Sequence, residues 1–509
     1  MNISIQQLLY HANVKWGNRD YIFEKIDGTY VPRTFNNAIN DIYALSSSLI
    51  NLGLQDKNIL IYGENSYYWA ISDLAIMGFV GINVAVNNQW QVNDIKNVLN
   101  FVNVDAIIYS NTNNPQVVSE IKTEYPSITY LSIQEDIPRL IINGYKTINA
   151  IMHLKRDTSK PCKIVFSSGT TSTPKAAMIS QDNMFFGASG LNDRLNIGSD
   201  DRALIFLPLN FTYAGILNLL YSFIFGWQVY LCSNTKELLE DLKNINPTIF
   251  CAVPLIYEKI YNGIDKKTLN ILNKLIGISN ILLKIHIDLR KVLFKKIHHI
   301  FGTNQGYLIC AGAPFNRVIK KFYNDVGFTL IEGYGLTETS SILSCAYPDD
   351  NLSSVGTIFD GIDVKIVDPD SDGYGEIIVK GDNVFLGYIN NENANSNSFD
   401  DEGYFHTGDI GFIDINNHLF LKGRKKRVII TNNGHNVFPD EIEELFLGKK
   451  DINKVKVYQS DNKIIATLYV TTIDTNFDDL VNKINQSLPK YKRISSYDVV
   501  LDSIDKRLK

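Results

Sequence analysis

Helical patterns such as residues 34–52 alternate with short β-rich runs such as 58–62 and 105–109 through the first half of the chain. Two periodicities taking turns at this spacing predict an α/β fold whose strands pair in parallel. The chain has 509 residues, beyond the size at which one hydrophobic core keeps growing, so at least two domains are expected, one of them large. From 355 to 421 the pattern changes to short strands with turn signals, as in DGIDVKIVDPDSDGYGEIIVKG. That predicts a β-rich subdomain closing the large domain. The Asn-rich stretch 390–398 reads as a surface loop.

A basic cluster, Arg424, Lys425, Lys426 and Arg427, follows Gly423. Beyond it come a strand, a Gly turn and a helix starting near Pro439, with Asp440, Glu441, Glu443 and Glu444 early in it, where acids suit the positive end of the helix dipole. The remainder is long enough for a small α+β domain. The expected division is therefore 1–423, large, and 424–509, small. Residues 270–301 read as one basic amphipathic helix: Leu275, Ile278, Leu282, Ile285, Leu289, Leu293 and Ile297 form a stripe, with Lys284, Lys291, Lys295 and Lys296 elsewhere. Packing against the scaffold is the simpler reading of that stripe, and docking on a membrane surface is also compatible with it.

Charge narrows the partners. Lys and Arg number 49 against 54 Asp and Glu, a net charge of −5, so there is no overall basic field to draw in nucleic acid. Cys162, Cys232, Cys251, Cys310 and Cys345 are scattered and odd in number, without a CxxC pair. Neither a disulfide framework nor a zinc site is indicated, and a reducing cytoplasm fits. The first twenty residues lack a secretory pattern. The apolar stretch 215–231 is interrupted by Asn218, Ser222 and Gln228, and reads as buried core.

Lys163-Ile-Val-Phe runs into Ser167-Ser-Gly-Thr-Thr-Ser-Thr-Pro-Lys175, a strand followed by hydroxyls, one glycine and a lysine. Backbone N–H groups and short hydroxyls approach phosphate oxygens closely, and Lys175 adds a point charge. It is not a Walker A loop. By composition alone an ordinary Ser/Thr-rich turn fits equally well.

Three further blocks follow in order: Glu332-Gly-Tyr-Gly-Leu-Thr-Glu-Thr339; Tyr404-Phe-His-Thr-Gly-Asp409; and Lys422-Gly-Arg-Lys-Lys-Arg427 with Asn433-Gly-His-Asn-Val-Phe-Pro-Asp-Glu-Ile-Glu443. Together with the hydroxyl loop they make the chain resemble, over essentially its whole length, the adenylate-forming superfamily of acyl-CoA synthetases, peptide-synthetase adenylation domains and luciferases. Flanking text such as LIYGENSYYWAISDLAIMG, NPTIFCAVPLIYEKIY and VKGDNVFLGY looks most like the long-chain fatty-acid–CoA ligase branch.

The resemblance implies a large N-terminal domain of α/β subdomains with a β-rich subdomain, then a small mobile α+β domain. It implies ATP, Mg²⁺ and coenzyme A. Ser167, Ser168, Gly169, Thr170, Thr171 and Lys175 would grip the β- and γ-phosphates. Tyr334 would stack on adenine with Gly312 and Ala313 lining the base, and Glu332, Gly333 and Gly335 belong to the same nucleotide block. Glu338 would hold Mg²⁺ and Thr337 the α-phosphate. Asp409 and Arg424 would bond the ribose, Lys426 would sit at the hinge and Gly434 would line the thiol tunnel. Each residue taken singly has a plainer role, Asp409 as a turn cap, Glu338 opening a helix and Tyr334 in the core. Lys425 and Arg427 are read as a solvated face.

Two departures from the family pattern matter. In Leu207-Pro-Leu-Asn-Phe-Thr-Tyr213, Asn210 and Phe211 stand where the long-chain ligases usually carry histidine, which reopens the substrate class. The tail Asp505-Lys506-Arg507-Leu508-Lys509 has Asp in place of the usual Gly, so Lys506 is the candidate adenylating lysine and Lys509 its rival. Three functions compete: an acyl-CoA ligase for a medium- or long-chain acid, an adenylating enzyme loading an acyl carrier protein, and a nucleotide-binding homologue without activity.

Overall fold

The computed structural model describes residues 3–167, 175–232, 236–302, 306–431, 436–447, 449, 451–460, 463–472 and 476–501. A six-stranded sheet runs in the order Thr129–Ser132, Ala106–Tyr109, Asn58–Tyr62, Ile82–Ala85, Pro161–Ser167, Lys175–Ser180. All its pairings are parallel except the last. The inner strands are short, mostly apolar runs buried along nearly their whole length, as expected where helices cover both faces of a parallel sheet. The 34–52 pattern is the helix Phe35–Asn51, begun by Thr34, whose hydroxyl accepts the Asn37 N–H. It buries Phe35, Ile39, Ile42, Leu45 and Leu49 at three- and four-residue spacing.

A second sheet of nine strands places Thr329–Tyr334, Tyr307–Ala311, Ile249–Ala252 and Arg202–Ile205 side by side and parallel. A large hydrophobic cluster spans both sheets and the helices between them. The stretch after Thr212 is buried, as expected. It is a π-helix over Tyr213–Leu220, then a short helix Tyr221–Phe225 and the strand Gln228–Leu231. Among the described residues no helix is long and apolar enough to cross a membrane. The five cysteines are buried and unbridged.

The 355–421 region contributes an antiparallel four-stranded sheet, Asp363–Val367, Gly375–Lys380, Phe405–Ile413 and Leu419–Arg424. Beyond it, residues from Ile429 to Ile494 close a hydrophobic cluster of their own around the strands Ile452–Ser460, Lys463–Val470 and Ser496–Leu501. The helix read near Pro439 is Pro439–Glu444, with proline in its first turn. Among the described residues, polar contacts that tie this part to the rest include Lys422 to Glu441 (2.8 Å), Arg317 to Glu444 (3.1 Å) and Asn316 to the Leu447 carbonyl (3.1 Å).

Two sequence readings are corrected. The stretch 390–398 holds a short helix, Glu392–Ser396, because the Asn391 side chain accepts the Ala394 N–H and caps it. The segment 270–301 is not one helix but three, Lys266–Lys284, Arg290–Leu293 and Lys295–Phe301. The chain breaks where His286 takes a positive φ of 62° and the Asp288 carboxylate collects both the N–H and the guanidinium of Arg290. Apolar residues at helical spacing on either side of such a turn read as continuous in sequence.

Candidate active site

In open α/β sheets ligands bind beyond the carboxyl ends of the strands. Here the ends of Pro161–Ser167, Tyr307–Ala311 and Thr329–Tyr334 lead into the blocks singled out in the sequence. Ser167 pairs with Lys175 across the base of the hydroxyl loop. Ser168, Gly169, Thr170 and Thr171 lie outside the described residues, as do Gly434, Lys506 and Lys509.

Gly312 has φ 90°, and a Cβ there would meet only Val253 at 3.9 Å, so Gly312 and exposed Ala313 leave open space beyond the strand. Gly333 stands beside Ala311 in register. Gly335 is required sterically: a Cβ would come within 2.4 Å of the Ser341 backbone. Glu332 is turned the other way, because its carboxylate forms a buried ion pair with Lys320 at 2.7 Å. It therefore brings no free charge to the site.

Tyr334 and Asp409 come together from different sheets. The Tyr334 hydroxyl donates to Asp409 Oδ2 at 2.6 Å, and Arg424 Nε reaches Asp409 Oδ1 at 2.8 Å. The last contact follows from register, since Asp409 and Arg424 face each other on neighbouring antiparallel strands. Asp409 is 6% exposed, so burial raises its carboxyl above the usual range while the Arg424 charge opposes the shift. Burial first, and Asp409 second, push the Tyr334 phenol well up.

A connection not read from the sequence runs through Tyr388. Its hydroxyl donates to Glu338 Oε1 at 2.7 Å, and its ring lies under Lys175 Nζ at 4.6 Å from the centroid. The backbone reinforces this: Leu386 N–H bonds Met178 O, Met178 N–H bonds Gly387 O, and Phe385 N–H bonds Glu338 O, all at 2.9 Å. Residues 385–389 thus bridge the strand beginning at Lys175 and the turn Thr337–Thr339 that carries Thr337 and Glu338. The visible signal was the Gly-Tyr pair in VKGDNVFLGY. Its partner is 50 residues away, and no local pattern reveals it.

The basic cluster is not uniformly solvated. Lys425 bonds Glu376 at 2.7 Å, and Arg427 is held by Asp440 at 2.6 Å and Glu443 at 2.5 Å. Lys425 nevertheless lies on an exposed face, as read, whereas the reading of Arg427 as solvated is corrected, because its guanidinium is partly buried between two carboxylates. Lys426 between them is exposed and has no carboxylate partner among the described residues. Phe211 is 44% exposed, and Asn210 is buried.

Strand ends with Asp409 and Glu338 gathered beyond them define an α/β enzyme whose candidate site lies where its nine- and four-stranded sheets meet. ATP-bound MatB from Rhodopseudomonas palustris has the same fold, with a TM-score of 0.79 at 19% identity over 98% of this chain and 95% of that one. The family model described as AMP-binding enzyme matches residues 11–389, and the chain belongs to that family. It is 29% identical to the long-chain-fatty-acid–CoA ligase FadD15 of Mycobacterium tuberculosis, over 89% of this chain and 80% of the relative. It is 24% identical to the Arabidopsis thaliana long-chain-fatty-acid–[acyl-carrier-protein] ligase AEE15, over 95% and 80%.

Proposed function

We propose that the chain is a cytoplasmic, ATP-dependent acid–thiol ligase that adenylates a medium- or long-chain fatty acid and passes the acyl group to coenzyme A. The observation that carries the reading is the convergence of Tyr334, Asp409 and Arg424 beside Glu338, Tyr388 and Lys175. Polar groups suited to ribose adjoin a carboxylate and a cation of the kind a triphosphate needs.

In this reading adenine lies on Tyr334 against Gly312 and Ala313. Asp409 accepts from the ribose hydroxyls, which a carboxylate does well because both oxygens accept. Glu338 fits a Mg²⁺ site: Tyr388 occupies Oε1, and one carboxylate is the protein donor such an ion needs when phosphate oxygens and water supply the rest. Bound there, the ion would neutralise developing phosphate charge. Lys175, with the 167–171 loop, holds the β- and γ-phosphates. A substrate carboxylate oxygen then attacks the α-phosphorus in line, the bond to the bridging oxygen breaks, and pyrophosphate leaves. Thr337 orients the α-phosphate and Lys506 neutralises it. The 424–509 part then turns about Lys426, and a thiol admitted past Gly434 attacks the acyl carbon and expels AMP.

The acid is tested directly. Fatty acids of C8 to C18 are expected to give higher specificity constants than acetate, aryl acids or amino acids, because each buried methylene contributes about 0.8 kcal/mol. A better small acid would withdraw the fatty-acid reading. The similarity to a carrier-protein ligase supports a second acceptor, so the same assay is run with free coenzyme A and with carrier proteins bearing the phosphopantetheine arm. Acid-dependent exchange of pyrophosphate into ATP is expected, and its absence would leave only nucleotide binding.

Tyr388→Phe keeps the ring under Lys175 and deletes the bond to Glu338. It is expected to lower kcat/KM for ATP about tenfold, the low end for a hydrogen bond to a charged group, with only a modest fall in melting temperature. Wild-type ATP kinetics in this variant would make Tyr388 a packing residue only.

A further inference from the structure

The segment 266–301 is set apart from the rest of the chain by its charge and by what it exposes. It contains eight lysines and arginines against one carboxylate, Asp288, in a protein whose net charge is −5. That carboxylate is already paired with Arg290 at 2.8 Å. Among the described residues no carboxylate pairs with any of the seven lysines of the segment.

The helix Lys266–Lys284 is tied to the body on one side only: of its 19 residues just Leu272 and Ser279 are buried. Its open side is not polar. Lys267, Ile271, Lys274, Ile278 and Ile281 follow at intervals of four and three residues, which puts them on one stripe. Ile271 and Ile278 are each 52% exposed and Ile281 66%. The chain beyond continues in the same style, with Ile285 60% and Val292 73% exposed. Each of these isoleucines thus turns more than half of its surface to solvent.

We propose that this face docks on an anionic lipid bilayer. A helix of this length lies about 28 Å along a surface, with isoleucines entering the acyl boundary and lysine stems lying along it while their ammonium groups meet lipid phosphates. Charge complementarity decides among occupants. A second copy of the chain would set one lysine-rich face against another. An acidic protein would satisfy the lysines but needs pockets for the isoleucines, whereas a bilayer needs only a convex apolar stripe flanked by cations. The proposal rests on the segment itself and not on the identity of the acid.

The test is sedimentation of the full chain with phosphatidylcholine vesicles, with and without phosphatidylserine, at low and high salt. Wild type is expected to bind the anionic vesicles, to release in high salt and to ignore the neutral ones. The variants Ile278→Asp/Ile281→Asp and Lys267→Glu/Lys274→Glu/Lys284→Glu are each expected to bind at least tenfold more weakly, since each surface lysine contributes several-fold in affinity. Melting temperature and pyrophosphate exchange with a short, soluble acid should be unchanged, because these side chains are exposed and lie outside the candidate site. No binding by wild type, equal binding to neutral vesicles, or equal binding by either variant would overturn the proposal. So would self-association, or capture of an acidic carrier protein, that the same substitutions abolish while vesicles are ignored.

Discussion

Lys506→Ala is expected to slow acyl-adenylate formation about 10²–10³-fold, the scale of deleting one preorganised donor to a transition state. Thioester formation from preformed acyl adenylate should change little, because the α-phosphate passes through its charged transition state only in the first half-reaction. Separate assays of the two half-reactions read this directly. Lys509→Ala removes an equal charge three residues on and serves as the control. Selective loss in Lys509→Ala instead would shift the assignment along the tail. Loss in neither would mean that the cation comes from elsewhere.

Asp409→Ala is expected to raise KM for ATP about 10–100-fold, the range for losing charge-assisted hydrogen bonds. The effect falls on binding rather than turnover because ribose is held equally in the ground and transition states. Arg424, half exposed, returns to water in the variant, but the Tyr334 hydroxyl loses its acceptor at 2.6 Å. A modest fall in melting temperature should accompany the kinetic change. A folded variant with unaltered ATP dependence would reduce Asp409 to a residue that shapes its turn.

The sequence was most legible where one local pattern had one physical cause. Asn58–Tyr62 is read to the residue because a short apolar run between turn signals has little else to be. Asp409 and Arg424 are likewise met as motif residues, and the antiparallel register then makes them partners. Legibility failed where the partner lay elsewhere in the chain. Glu332 looks like part of the nucleotide block, but its carboxylate belongs to Lys320. Arg427 looks solvent-facing until Asp440 and Glu443, explained in sequence by the helix dipole, are found turned towards it. Tyr388 escaped because its role depends on two segments that only the folded chain joins. The 270–301 stripe failed differently: its period was right, but a turn at His286 and Asp288 divides it.

The ion pairs around the basic cluster constrain how the C-terminal part could move. Arg424 and Lys425 are bound to Asp409 and Glu376 of the four-stranded sheet, while Arg427 is bound to the helix Pro439–Glu444. Both banks are anchored, and the span between them is a single residue. A reorientation would therefore concentrate in the φ and ψ angles of Lys426, a swivel and not a flexible tether, whose arc the backbone sterics of that one position limit to a few discrete settings. The contacts made by Lys422, Arg317 and Asn316 would have to part in such a turn; the half-exposed Arg317–Glu444 pair is one that water replaces for about 1 kcal/mol or less. Lys426→Pro would fix φ at that one position and is expected to oppose any such turn.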